Sequence, residues 1–106
     1  MSTPYITVFV TVPDHEVAKK ITQHILTEKL AACANIVPAI ESYFWWEGKI
    51  DKARECLLMI KTKRRLFMQL RKAVQSKHPY DVPEIIALPI VSGNKAYLDW
   101  INGSCR

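Results

Sequence analysis

Residues Ala31–Lys61 constrain this chain more than any other stretch. They read as one long hairpin: two apolar, β-prone arms meeting at Glu47-Gly48-Lys49, where glycine supplies the positive φ a tight connection needs. Tyr43, Phe44, Trp45 and Trp46 lead into the turn, and aromatic residues favour a pleated, half-buried surface. An arm of about 14 residues spans roughly 45 Å. A compact domain of this length has a radius of gyration of about 13 Å. The tip must therefore overhang, and adjacent tryptophans on an overhang call for a second chain to cover them.

The flanking elements follow from periodicity. Tyr5–Val12 alternates as a strand, with Ile6, Val8, Val10 and Val12 on one face. Pro13 ends it, Asp14 is placed to cap a helix, and Val17, Ala18, Ile21, Ile25 and Leu26 recur at helical spacing over Asp14–Lys29. The hairpin arms are Leu30–Trp46 and Lys49–Thr62. Pro38 lacks an N–H, which makes the first arm an edge strand or bulges it there. Thr62 is placed to cap a second helix with Leu66, Phe67, Leu70, Ala73 and Val74 on its buried stripe, closed by Lys77, His78 and Pro79. Glu84–Val91 is a last strand, pushed to an edge by Pro83 and Pro89. Asn94 caps a short terminal helix with Tyr97, Leu98 and Ile101 inward, ended by Gly103.

The order β-α-β-β-α-β plus a tail helix predicts one α+β domain over residues 1–106 in a ferredoxin-like arrangement. Two helices cover one face of an antiparallel sheet whose first and third strands are central. The other face also carries apolar residues, among them Tyr5, Phe9, Leu57, Met59, Ile86 and Leu88. Leaving three of them wet forfeits roughly 1.5–3 kcal/mol each. Copies of the same chain are expected to cover that face in a closed ring.

The net charge of +5 comes from scattered lysines and arginines, and the aromatic-basic pattern of a single-strand RNA-binding sheet is missing, so no nucleic-acid partner is expected. No leader pattern and no run of about 18 apolar residues occurs, so no membrane partner is expected either. Cys33, Cys56 and Cys105 have no CxxC spacing and suit a reducing compartment. No nucleophile elbow, phosphate loop or HExxH is found, which points away from an enzyme.

Several runs resemble the CutA family, the divalent-cation tolerance proteins. They are Glu28–Pro38, Tyr43–Ile50, Glu55–Thr62, His78-Pro79-Tyr80, Val82-Pro83-Glu84, Leu88-Pro89 and Tyr97-Leu98-x-Trp100. The resemblance implies a non-catalytic homotrimer, usually cytoplasmic in bacteria, linked to tolerance of copper and other divalent metals. It also implies no obligatory cofactor, with Cu²⁺ or another divalent cation as an optional ligand. Because the family's trimers look like those of the PII signalling proteins, a signalling or scaffold trimer binding a small ligand or partner protein in its subunit clefts is the alternative. Relatives proposed to hold copper use a first-strand cysteine and a His-His pair before Pro-Tyr; here those positions read Val10 and Lys77-His78.

The metal candidates are thus His78 and Cys33. Against them stand a histidine cation closing a helix and a cysteine packed in the core or interface. Cys56 reads as packing, and Cys105 as an exposed, oxidisable tail residue. Tyr43, Trp45, Trp46 and Trp100 are the expected trimer contacts. Lys61, Tyr80 and Glu84 are candidates for a polar pocket at the cleft, the alternative being an ordinary salt bridge.

Overall fold

β1 (Tyr5–Val12) sets the frame, because every second residue of it is buried and the residues between are half-buried. The computed structural model describes residues 3–106. After β1 come α1 (His15–Thr27), β2 (Cys33–Trp46), β3 (Lys49–Lys63), a 3₁₀ turn (Arg64–Leu66), α2 (Phe67–Lys77), β4 (Ile85–Pro89) and α3 (Lys95–Ser104). The sheet is antiparallel throughout, in the order β2-β3-β1-β4. The two proline-bearing strands are therefore the edges, as their missing donors require.

Ile6, Val8, Val10 and Val12 of β1 pack with Leu58 and Ile60 of β3 beneath α1 (Ala18, Ile21, Ile25) and α2 (Leu70, Val74). All of these but Ile6 are fully buried. A second, smaller cluster forms where α3 meets the end of the sheet, through Leu66, Ile101 and Cys105.

α1 begins as its sequence requires, with the Asp14 carboxylate accepting from Val17 N–H at 2.9 Å. It ends two residues before the expected Lys29. Lys29 takes φ 56°, its N–H donates to the Leu26 carbonyl, and Leu30 N–H donates to the Ile25 carbonyl. This double bond with Leu30 and Ile25 both in the core is a Schellman cap, built on lysine where glycine is usual. Leu30 and Ala31 are consequently buried in the connection instead of opening the first arm.

Four further expectations are corrected. Thr62 does not cap α2: its hydroxyl points inward and donates to the Leu30 carbonyl at 2.7 Å, and the 3₁₀ turn starts the helix without a side-chain cap. Gly103 lies within α3, which runs to Ser104, although Asn94 does cap it through Ala96 N–H at 3.1 Å. Tyr97 is exposed, not inward, because Ile101 is the buried residue of that helix. β4 is also shorter than expected, leaving Glu84 outside it.

β1 accompanies β3 only from Cys56 to Lys63. Beyond that, β2 and β3 continue as a two-stranded ribbon to Trp46 and Lys49. The ribbon makes the molecule 44 Å long against 29 and 23 Å, with a radius of gyration of 14.3 Å. The register breaks between Val37, opposite Leu57, and Ile40, opposite Glu55. β2 thus advances three positions while β3 advances two, a bulge of one residue. Pro38 sits in it, and Ala39 takes φ 59°.

Candidate functional site

The bulge determines what the ribbon presents. Side chains alternate along a strand, so one extra residue exchanges the two faces of everything beyond it. Ser42, Phe44 and Trp46 are thereby brought to the face that carries Glu55 and Asp51, which they oppose or flank across the ribbon. That face continues onto the uncovered side of the sheet at Thr11.

These residues, with Tyr80, Val82 and Glu84 from the α2–β4 connection, line an open groove of about 830 Å³. Its walls mix aromatic rings with the carboxyl groups of Asp51, Glu55, Asp81 and Glu84. Tyr80 O–H donates to Glu55 Oε2 at 2.9 Å. Glu55 is only 8% exposed, so this bond satisfies a carboxylate that solvent reaches poorly. Partial burial, then the hydrogen bond and negative charge of Glu55, push the Tyr80 hydroxyl up to about 12. Glu84 is held more loosely, accepting from the Thr11 hydroxyl at 3.5 Å.

His78 fixes this corner. One ring nitrogen, Nε2, lies 2.8 Å from the Thr11 carbonyl, which only accepts, while Nδ1 accepts from Tyr80 N–H at 3.2 Å. The pattern defines a neutral imidazole protonated on Nε2. The expected alternative, a cation closing the helix, is corrected to this buried neutral ring, which also lies 4.8 Å from the Tyr80 ring centroid.

Of the polar trio, the structure joins Tyr80 and Glu84 but not Lys61. Lys61 stands near the other end of β3, opposite Thr7 and Cys33, and its ammonium donates to Asn35. Glu55, in the middle of a strand with no local motif around it, is the partner that sequence reasoning left unassigned. Its only signal was a carboxylate just before the apolar run Cys56–Ile60.

Cys33 lies with Lys61 at the end away from His78. Its Sγ is 3.6 Å from the Tyr97 hydroxyl, and that contact, then partial burial, raises Tyr97 to about 12. The two metal candidates are thus not brought together, and among the described residues no three His, Cys, Asp or Glu side chains converge as metal ligands. Cys105 is corrected from exposed to buried, its thiol donating to the Ile101 carbonyl at 3.2 Å. All three cysteines are free thiols.

The aromatic residues expected at an interface are uncovered. Tyr43, Trp45 and Trp46 are 65, 73 and 61% exposed, and Trp100 is exposed beside Tyr97, their rings 5.4 Å apart. No helix among the described residues is long and apolar enough to cross a membrane.

Fold and site define a small α+β module with a projecting aromatic ribbon and an acidic, aromatic groove at its root. The model of the CutA1 divalent ion tolerance protein family matches residues 6–104, and the chain belongs to that family. It is 53% identical to the rice protein "Protein CutA 1, chloroplastic" over 97% of this chain and 58% of that one. The chain spans 57–58% of the length of the two plant relatives it matches. A crystal structure of CutA1 from rice superposes with a TM-score of 0.95 at 52% identity, covering 99% of this chain and 96% of that one. The structure of the periplasmic divalent cation tolerance protein CutA from Archaeoglobus fulgidus does so at 0.91 and 43% identity, covering 94% and 97%. The names of these relatives place them in different compartments.

Proposed function

We propose that the chain is the ferredoxin-like subunit of a non-catalytic homotrimer that serves divalent-cation tolerance in the cytoplasm. The observation that carries the self-association is the ribbon tip. Trp45 and Trp46 are exposed on a two-stranded projection beyond the four-stranded sheet, next to a sheet face where Ile86 and Leu88 are also exposed. Surfaces of this kind are interaction sites in folded proteins. Tyr43, Trp45, Trp46 and Trp100 are the contacts proposed for it. The tolerance role rests on membership of a family named for it. Three free thiols support a reducing compartment.

Copper or another divalent cation is an optional and weak ligand in this reading, with His78 and Cys33 as separate candidate donors. To bind, His78 must surrender the hydrogen bond from Tyr80 N–H or the one to Thr11, which argues against high affinity. Titration with Cu²⁺ under reducing conditions tests this. Micromolar binding abolished by His78→Ala supports it; binding that survives both His78→Ala and Cys33→Ala removes these donors.

A second reading is favoured by the groove. Its 830 Å³ and its mixture of aromatic and carboxyl groups suit a small ligand or a partner's side chains, as in a PII-like signalling or scaffold trimer. Tyr80 and Glu84 belong to that groove, while Lys61 enters the reading only as a residue another subunit meets. A copper titration without heat in any variant shifts the weight to this alternative.

A further inference from the structure

At the end of the sheet away from the groove, the start of β1, the end of β3 and α3 enclose a cavity of about 310 Å³. Pro4, Tyr5, Lys63, Arg64, Arg65 and Asn102 line it. Three of the six carry positive charge, and among the described residues none of the three is paired with an Asp or Glu carboxylate. The ion pairs among the described residues are Lys19–Glu16, Lys95–Asp99 and Arg106–Glu28. Neither the 3₁₀ turn nor α2 has an acidic residue in its first turn. Arg65 donates to the main-chain oxygen of Arg106 and keeps further N–H groups to offer.

Lys63 is the informative member. It is 8% exposed, yet its ammonium has no hydrogen-bond or ion-pair partner among the described residues. Its stem is packed while the ammonium itself stays open to solvent at the cavity, where it can meet a counter-charge. Its neighbour two residues back, Lys61, does have a partner in Asn35. The Tyr5 ring and Pro4 supply an apolar wall beside the charges.

We propose that this cavity binds a phosphate monoester: the dianion against Lys63, Arg64 and Arg65, and its small apolar or aromatic body against Tyr5 and Pro4. Lysine offers a point charge and arginine a planar fork of donors, the pairing that phosphate oxygens favour. The volume accommodates one such group and no more than a ring beside it. The inference is independent of copper and of the trimer.

Calorimetric titration of the full chain at low salt with phenyl phosphate, inorganic phosphate and phenol tests it. Phenyl phosphate is expected to saturate at one per subunit, to bind several-fold more tightly than inorganic phosphate, and phenol not to bind. Lys63→Met keeps the buried stem and removes the charge; it is expected to weaken phenyl phosphate about tenfold. Arg64→Gln, at an exposed position, weakens it about threefold and carries the test should Lys63→Met fail to fold. Lys72→Gln, an exposed charge on α2, should leave it unchanged. Absence of saturable binding, equal affinity for inorganic phosphate, or an equal loss in Lys72→Gln would each overturn the proposal.

Discussion

Tyr80 and Glu55 are joined by a 2.9 Å hydrogen bond that ties the α2–β4 connection to the middle of β3. Partial burial and then this bond hold the phenol protonated, pushed up to about 12 from an ordinary 10.0. Folding therefore gains from a neutral Tyr80 below pH 10, where the unfolded tyrosine is also neutral. That gain is lost as pH rises from 10 to 12, because the unfolded state releases its proton first. Spectrophotometric titration of the tyrosines should show a late component from Tyr80 and Tyr97 that falls by about half in Tyr80→Phe. In Glu55→Gln the Tyr80 midpoint should move down toward 10. A wild-type protein whose tyrosines all titrate together near 10 would contradict the structure.

The lysine in the α1 cap makes a second prediction. Lys29 holds φ 56°, a region that costs an L-residue with a side chain roughly 1–2 kcal/mol and glycine little. Glycine also gives the unfolded chain more freedom, which offsets part of the gain. Lys29→Gly should stabilise by about 0.5–1 kcal/mol. Denaturation of both proteins at equal concentration measures it. A lower midpoint for the variant would show that the lysine side chain contributes something its exposed position does not suggest.

Core packing gives a third. Leu70 is fully buried between α2 and the sheet, within the main hydrophobic cluster. Leu70→Ala should cost about 2–5 kcal/mol, a large share of a domain's stability. The denaturant midpoint should fall while the slope of the transition stays constant, since the surface exposed on unfolding hardly changes.

Ribbon and core respond differently. Trp45 and Trp46 are exposed in the single subunit, so Trp45→Glu and Trp46→Glu should alter its intrinsic stability by no more than about 0.5 kcal/mol. The same substitutions should reduce the mass seen by light scattering from three subunits to one. A wild type that scatters as a monomer at micromolar concentration contradicts the proposed trimer.

Much of this was readable from the residues, and the limits have a physical origin. Pro38 and Pro89 announced the sheet edges because a missing N–H has few places to go. The helix stripes announced the core because burial repeats at a fixed period. Thr62 misled because a hydroxyl caps a helix or bonds a distant carbonyl equally well, and only the path of the chain at Leu30 decides between them. Cys105 misled because nearness to the chain's end says nothing of the cluster at Leu66 and Ile101 that encloses it. The groove was half legible. Tyr80 and Glu84 come from one short connection, whereas Glu55 arrives from 25 residues away. Lys61 was grouped with them by its motif, but its position on β3 carries it to the far end of the strand.

The bulge at Pro38 and Ala39 works as a parity setting for the projecting ribbon. Threading the same residues through without the bulge would leave the core sheet in register while turning the tip over. Tyr43 and Trp45 would then occupy the side that Phe44 and Trp46 hold now. Which tryptophan a neighbouring subunit would meet, and which would roof the acids, is decided some distance from either by whether a count is odd or even.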